Sequence, residues 1–569
     1  MMLPYLAPTQ DMLLSLQTVA GGDQLYGSAA FPDLDSETVT ALLSEAAKLV
    51  EEEIAPTLQL SDQSPPTLKD RQVISGPEMH ANHALISENG WIAMPYPEAV
   101  GGLALPWSVS ALMLELLNSA NISFALSACM TQGCAEAILA HGSQEQIDTY
   151  VPHLLSGTYM GTMHLTEASA GSDVGALKTR ATDQGDGTWR LNGTKIYISW
   201  GDSDLAENIV HLVLARTPGS PEGTKGLSLF LVPKILPDGT RNNVFPSGIE
   251  EKLGIHGSPT CTMIHEGSVG WMVGAEQAGM AAMFTMMNNA RIGVGFQGLG
   301  VSERAFQAAK DHASTRVQGG TEIIHHPDVR RNLFLMKALT AVSRDLGYSA
   351  HVAGDMARLG GDQAAQYKAR ADLLTPLAKS FMTDAALEVS NLAIQVYGGM
   401  GVIEEAGVAQ LARDCRVFSI YEGTNGIQAL DLLGRKTLRD GGGAVFTLLD
   451  EICETIAKAM ESGLERFAQT LASHEQAVRS AIETLLTKAK EDAASVTGSA
   501  TAYLQALALL VGGQGMLKRA LAAESMKDTN PDLAAEQIDL ADFFFGQVLP
   551  RAQTALAQMA HDYRELRIV

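Results

Sequence analysis

Apolar residues recur at helical spacing along most of the chain, with one interruption in the middle. Residues 36–54, "SETVTALLSEAAKLVEEEI", are amphipathic, and Ser36 with Glu37 signals a helix start. Residues 107–142 are apolar on all sides, the pattern of buried helices, and "SQEQIDTYVPHLLSG" predicts a short helix stopped by glycine. From about Tyr159 the texture changes. Asn192-Gly193 is a hairpin signal followed by alternating strand residues, and "NIVHLVLART" and "GLSLFLVPK" read as further strands. This stretch predicts an antiparallel sheet or barrel ending near "GSVGWMVGA". From Met280 the helical pattern returns and runs to about Arg439, "RDGGGAV" reads as a linker, and a fourth, helical segment follows. The expected domains are 1–158 (helical), 159–275 (β), 276–440 (helical bundle) and 441–569 (helical extension). In the extension, "TAYLQALALLVGGQGMLKRAL" and "DFFFGQVLP" are too apolar to lie bare, so both are expected to pack on the helical core or on a second copy.

Composition narrows the class. At 569 residues the chain is too long for one core, and 46% hydrophobic against 18% charged residues makes it globular. A net charge of -24 argues against nucleic-acid backbones and anionic membranes as main partners. Five cysteines (Cys129, Cys134, Cys261, Cys415 and Cys453) show no metal spacing, and their odd number fits a reducing compartment. No metal is expected. The start, "MMLPYLAPTQDMLLSL", lacks a basic region and a long apolar core, so no signal peptide is expected. No stretch reaches about 18 uninterrupted apolar residues, so no membrane span is expected either. The compartment expected is cytoplasmic.

Residues 419–436, "SIYEGTNGIQALDLLGRK", raise the chemical question. Ile427, Leu430 and Leu433 fall at helical spacing, and Thr424 and Asn425 are good N-caps. Glu422 therefore sits in the entry loop, near unpaired backbone N–H groups. The alternative for such a residue is a solvated loop glutamate.

Three other stretches join this one: "LTEASAGSD" (165–173), "RVQGG" (316–320) and "QVYGGMG" (395–401). Together, in this order and spacing over about residues 35 to 440, they resemble the acyl-CoA dehydrogenase family of flavoproteins. The C-terminal extension, "MFTMMNNARIGVG" and "HPDVRR" resemble its long branch, which includes FadE-type enzymes and enzymes for 3-methylmercaptopropionyl-CoA. The resemblance implies a multidomain α+β fold: an N-terminal helical domain, a central antiparallel β-barrel, a C-terminal helical bundle and an extra helical domain. It implies FAD-dependent α,β-dehydrogenation of an acyl-CoA to a trans-2-enoyl-CoA, with electrons passed to an electron-transfer flavoprotein. The acyl group expected is a medium or long fatty chain or 3-methylmercaptopropionyl, in fatty-acid β-oxidation or the breakdown of a sulfur-bearing acid. An acyl-CoA oxidase and a non-catalytic, nucleic-acid-associated flavoprotein are alternatives on the same fold.

The residues carry the implied roles as follows. Ala170, Gly171 and Ser172 let a ligand approach the backbone, and Thr166 and Ser172 add hydroxyl donors. By resemblance, Leu165, Thr166 and Gly171 line the flavin, and Ser172 lies near its pyrophosphate and the substrate's pantetheine; Ala168 stands where the family has proline. In "KIYISWG", Tyr197 replaces a common tryptophan against the flavin, Ser199 bonds its reactive edge, and Trp200 is expected to pack on the other side. Arg316 is implied to reach a partner subunit's FAD pyrophosphate, with Gln318 beside it as a further cofactor contact and Gln395, Gly398 and Gly399 supporting the adenine end. A homodimer is implied, and a tetramer is compatible with it. Met280, Met283 and Met287 share a helical face, read either as core filling or as a wall of the acyl channel. Asn288 is placed near the CoA arm and Arg291 near the catalytic glutamate. Glu422 is implied as the base, Tyr421 and Gly423 as substrate contacts, and Thr424 as a flavin contact. Some members carry the base where this chain has Ala290.

Overall fold

The computed structural model describes residues 3–561. They form two compact units, Leu49–Gly293 and a second built from residues 3–48 with 294–561. The first 48 residues thus cluster with the C-terminal helices and not with the helices that follow them.

In Leu49–Gly293, helix Ile122–His141 is fully internal over most of its length. It is capped by Asn121, whose side chain accepts from Phe124 N–H at 3.3 Å. Two helices among the described residues, Ile122–His141 and Ala493–Met526, are long and apolar enough to cross a membrane, but 83% and 67% of those windows are buried inside the protein. Such burial is that of core helices.

A short hairpin, β1 (Thr67–Lys69) with β2 (Gln72–Ile74), precedes the main sheet of β3 (Tyr159–His164), β4 (Arg180–Asp183), β5 (Trp189–Ser199), β6 (Asn208–Arg216), β7 (Leu227–Pro233), β8 (Val244–Ile249) and β9 (Thr260–Val273). The path β6–β4–β5–β9–β7 returns to β6, which closes a barrel; β3 flanks β6 and β8 flanks β9. Most pairings are antiparallel, as expected, but β3 runs parallel to β6, and β4 meets β6 in parallel at Arg180 and Arg216. Parallel neighbours need a crossover, and the intervening β4 and β5 provide it. Leu191, Ile198, Val213, Phe230, Val232 and Met263 fill the interior.

The hairpin expected at Asn192-Gly193 is not there: β5 runs straight through both residues. The turn closes instead at 184–188, where Gly185 and Gly187 are left-handed and Gln184 N–H donates to Thr188 O at 3.1 Å. Asn192 marks a slip in register against β9, and its Oδ1 accepts from Gly267 N–H at 2.8 Å. At Gly193 a Cβ would lie 2.3 Å from Thr179 Oγ1, so the glycine serves a close crossing. The extra residue is the left-handed Gly267 on β9, so Asn-Gly here lies opposite a bulge and forms no turn.

Three histidines face one another inside the barrel. His164 Nδ1 lies 3.1 Å from His265 Nε2, His265 Nδ1 lies 2.8 Å from Ser268 Oγ, and His211 Nδ1 lies 2.7 Å from Thr162 Oγ1. Burial, reinforced by Lys195, pushes His265 down to about 3; burial and neighbouring cationic groups likewise hold His164 and His211 well below the usual imidazole range. These histidines stay neutral in the fold while their unfolded counterparts take protons below about pH 6.5. Stability is therefore full above that pH and is lost as pH falls, by up to about 1.4 kcal/mol per histidine per pH unit. We expect urea unfolding to show this loss between pH 6 and 5, and His265→Gln to make the slope shallower; an identical slope in that variant would contradict the account.

In the second unit, helices Pro327–Arg358, Ala364–Tyr397 and Asn425–Leu433 form the bundle, and helix Ala500–Met526 of the extension packs on all three. Close approach explains its glycines: a Cβ at Gly512 would lie 2.8 Å from Val342 Cγ1, and one at Gly515 would lie 2.9 Å from Asp345 Oδ2. Phe544 and Phe545 are buried, and Phe543 stacks on Phe334 at 5.6 Å. The apolar stretches of the extension are thus covered, partly by the bundle, as expected, and partly by the extension's own helices, where Phe545 stacks on Phe467 at 5.1 Å. An ionic cluster ties the N-terminal segment in. Arg519 donates to both oxygens of Asp345 at 2.8 Å and also bonds Asp11, while Arg344 bonds Asp11 and Glu303.

Candidate active site

Helix Asn425–Leu433 begins where the sequence says it should. Thr424 Oγ1 accepts from Ile427 N–H at 3.3 Å, so the cap fixes the chain just after Glu422. Glu422 and Gly423 are both left-handed, with φ of +55° and +87°. Glycine takes this conformation freely, but a glutamate there costs about 1–2 kcal/mol. Strained backbone persists only where its surroundings over-determine it. Two side chains do so here: Gln428 Nε2 donates to Glu422 O at 3.2 Å, and Lys379 Nζ donates to Gly423 O at 2.9 Å. Tyr421 is half-buried, and its hydroxyl donates to Gln297 Oε1.

A second group lies in the barrel unit. Leu165 is buried, Thr166 is half-buried, and Thr166 O accepts from Ile196 N–H at 2.9 Å. Glu167 and Ala170 exchange backbone hydrogen bonds, so the loop turns tightly and leaves Ala168, Ser169, Gly171 and Ser172 exposed. Beneath it, the Glu167 carboxylate accepts from Lys195 Nζ at 2.9 Å, from Thr179 Oγ1 at 2.6 Å and from two backbone N–H groups. Lys195 also donates to Leu165 O at 2.9 Å. Burial pushes the Lys195 ammonium down to about 8 despite the pull of Glu167. Burial works to raise the Glu167 carboxyl, but Lys195 and Thr179 outweigh it and hold it below the usual range.

Sequence reasoning missed this anchor. Strict alternation would place Lys195, Tyr197 and Ser199 on one face. A register shift between Lys195 and Ile198, with Tyr197 left-handed at φ +59°, breaks that pattern. Lys195 is fully buried, while Tyr197 is 62% exposed. Ser199 is half-buried, and Trp200 packs inside as expected, its Nε1–H donating to Ser123 O at 3.2 Å. The available signal was a lysine within an otherwise apolar inward pattern.

Along helix Gly279–Thr315, Met283 is fully buried and Met280 and Met287 are half-buried, so the three do not share one environment. Asn288 is exposed, and its Oδ1 accepts from the buried Arg291 at 3.3 Å. Ala290 is buried.

Arg316, Gln318, Gln395, Gly398 and Gly399 are all exposed. The structure brings the two regions together: His312 and Tyr397 stack at 4.2 Å in the last turns of their helices, Gln395 lies in the second of these turns, and a loop follows each helix. Val317, Met400, Val402 and Ile403 are bare apolar residues in the same loops.

Sequence models of the acyl-CoA dehydrogenase N-terminal, middle and C-terminal domains match residues 36–158, 162–268 and 277–437. A further model, acetyl-CoA dehydrogenase C-terminal like, matches 448–566. The chain belongs to the acyl-CoA dehydrogenase family, oxidoreductases acting on CH–CH groups. Its relatives include the 3-methylmercaptopropionyl-CoA dehydrogenase of Ruegeria pomeroyi, 38% identical over 564 residues, which cover 96% of each chain. The broad-specificity linear acyl-CoA dehydrogenase FadE5 of Mycobacterium tuberculosis is 33% identical over 537 residues, covering 88% of this chain and 84% of its own. Among solved structures, Caenorhabditis elegans ACDH-11 in complex with C11-CoA shares the fold, with a TM-score of 0.78 at 22% identity over 100% of this chain and 93% of that one. The Bacillus anthracis acyl-CoA dehydrogenase complexed with FAD gives 0.77 at 22% identity, covering 93% of this chain and 88% of its own.

Proposed function

We propose that the chain is an FAD-dependent dehydrogenase that converts an acyl-CoA thioester to its trans-2-enoyl-CoA, with Glu422 as the base. The observation that carries this reading is a glutamate held in left-handed backbone at a capped helix entrance, with its own carbonyl and that of Gly423 both clamped by side chains. Taking a proton alpha to a thioester needs a base within hydrogen-bond reach and donors where charge develops on the carbonyl oxygen. Glu422 brings the carboxylate, and its backbone N–H is one such donor. Tyr421 and Gly423 border the acyl group, and Arg291 and Asn288 serve the substrate side. Ala290 has no acid to offer, which leaves Glu422.

The barrel residues fit a flavin. An exposed tyrosine ring beside the half-buried hydroxyls of Thr166 and Ser199 offers a stacking face and donors, and a Cβ at Gly171 would meet nothing within 4 Å, so the backbone there is open to approach. Leu165 and Thr424 complete the flavin contacts, and Ser172 serves the pyrophosphate and pantetheine. Bound there, FAD would supply a hydride acceptor for the beta carbon, and an electron-transfer flavoprotein would be the acceptor beyond it. The exposed Arg316, Gln318, Gln395, Gly398 and Gly399, with bare apolar neighbours, suit a second copy whose FAD they hold. The working assembly is then at least a homodimer, and a 60.4 kDa monomer fully loaded with flavin in sedimentation would refute it.

The Ruegeria and Mycobacterium relatives favour an unbranched acyl chain, with 3-methylmercaptopropionyl-CoA the first to try. Anaerobic mixing with straight-chain acyl-CoAs and this thioester should bleach the flavin and release the trans-2-enoyl product with at least one of them. No bleaching with any would reject the reading, and rapid peroxide release in air would move it to an oxidase.

A further inference from the structure

Lys379 lies at the middle of helix Ala364–Tyr397 and is fully buried. Burying an ammonium is costly unless it is well ligated, so a chain that does so spends stability on a fixed position. Its Nζ donates to Gly423 O and to Asn425 Oδ1, both at 2.9 Å. Asn425 is itself oriented, its Nδ2 donating to Asp384 Oδ1 at 2.8 Å and to Thr383 Oγ1 at 3.0 Å, which turns its carbonyl oxygen to the lysine. From the other side, the fully buried Gln428 donates to Glu422 O. The two left-handed residues therefore have one carbonyl on a cation and the other on an amide.

We infer that Lys379, with Gln428, is a positioning residue that holds Glu422 in its reactive conformation; this rests on Glu422 being the base. A left-handed glutamate without its clamps relaxes toward ordinary backbone, because that relieves the strain. Relaxation swings the carboxylate and turns the 422 N–H, so both of the loop's contributions to proton removal shift together. Neither clamp needs to touch the substrate for this.

The test uses flavin-loaded full-length enzyme and the best thioester of the panel. Lys379→Met keeps length but removes charge and donors; Gln428→Met removes only the amide and leaves the buried cation alone. Flavin bleaching at saturating acyl-CoA, counted per bound flavin, should slow about 10- to 100-fold in Lys379→Met, since small misplacement of a reacting group has that scale. Acyl-CoA affinity, read from the perturbed flavin spectrum, should stay within about threefold. A purely structural lysine would lower melting temperature and flavin content but not the rate per bound flavin. Gln428→Met should slow bleaching in the same way, and it decides the matter if Lys379→Met does not fold. Wild-type rates per flavin in whichever of these variants folds would overturn the inference. Glu422→Gln, run beside them, separates the two levels: if it bleaches normally, the base is misassigned, whatever Lys379 does.

Discussion

Arg519→Met is expected to destabilise the C-terminal unit by about 3–5 kcal/mol, the usual cost of stranding buried charge. The guanidinium is fully buried on helix Ala500–Met526 and meets Asp345, Asp11, Gln537 and Ser15. Burial works to raise the Asp11 carboxyl, but Arg519 and Arg344 hold it far below the usual range, so it is a committed anion. Without Arg519, Asp345 and Asp11 lose their shared cation, and Arg344 remains as the ion-pair partner of both Asp11 and Glu303. The three chain segments joined there, the N-terminal residues, the bundle and the extension, should loosen together. Because most of the loss comes from stranded carboxylates, adding Asp345→Asn should recover part of it. Urea unfolding and flavin retention measure both, and a loss below about 1 kcal/mol, the scale of a surface pair, would contradict this account.

That cluster also shows where sequence reading stopped. Asp11 meets Arg344 across 333 residues of sequence and Arg519 across 508, and no local pattern encodes such pairing. Local pattern therefore groups the first 48 residues with the helices nearest in sequence, whereas they cluster with the C-terminal helices. Local physics was legible: Thr424 caps its helix, the helix–sheet–helix order is correct, and the extension's apolar stretches are covered. Asn192-Gly193 failed because the same dipeptide can sit inside a strand opposite a bulge, here Gly267, and only cross-strand register separates that from a turn. A second slip, between Lys195 and Ile198, hides Lys195, because strict alternation fails across a bulge. Lys379 was missed for a different reason: a single lysine in a long helix carries no sign that a loop 44 residues away needs its charge.

Glu422→Gln should have the largest effect on the chemistry. The amide keeps the size of the side chain, and the backbone N–H at 422 survives, so flavin and acyl-CoA should still bind. At neutral pH an amide cannot take the alpha proton, and loss of a general base costs about 100- to 10,000-fold. The upper end is expected because Ala290 leaves no acid at the alternative position implied by the resemblance. Glu422→Asp, which keeps the base but shortens its reach, should fall between the two.

The direct measurement is anaerobic stopped-flow bleaching of the bound flavin's visible absorbance, wild type against Glu422→Gln, at saturating thioester. The account predicts a yellow variant that binds the thioester and bleaches at least about 100-fold more slowly than wild type. Bleaching within about threefold of wild type would place the base elsewhere and contradict it.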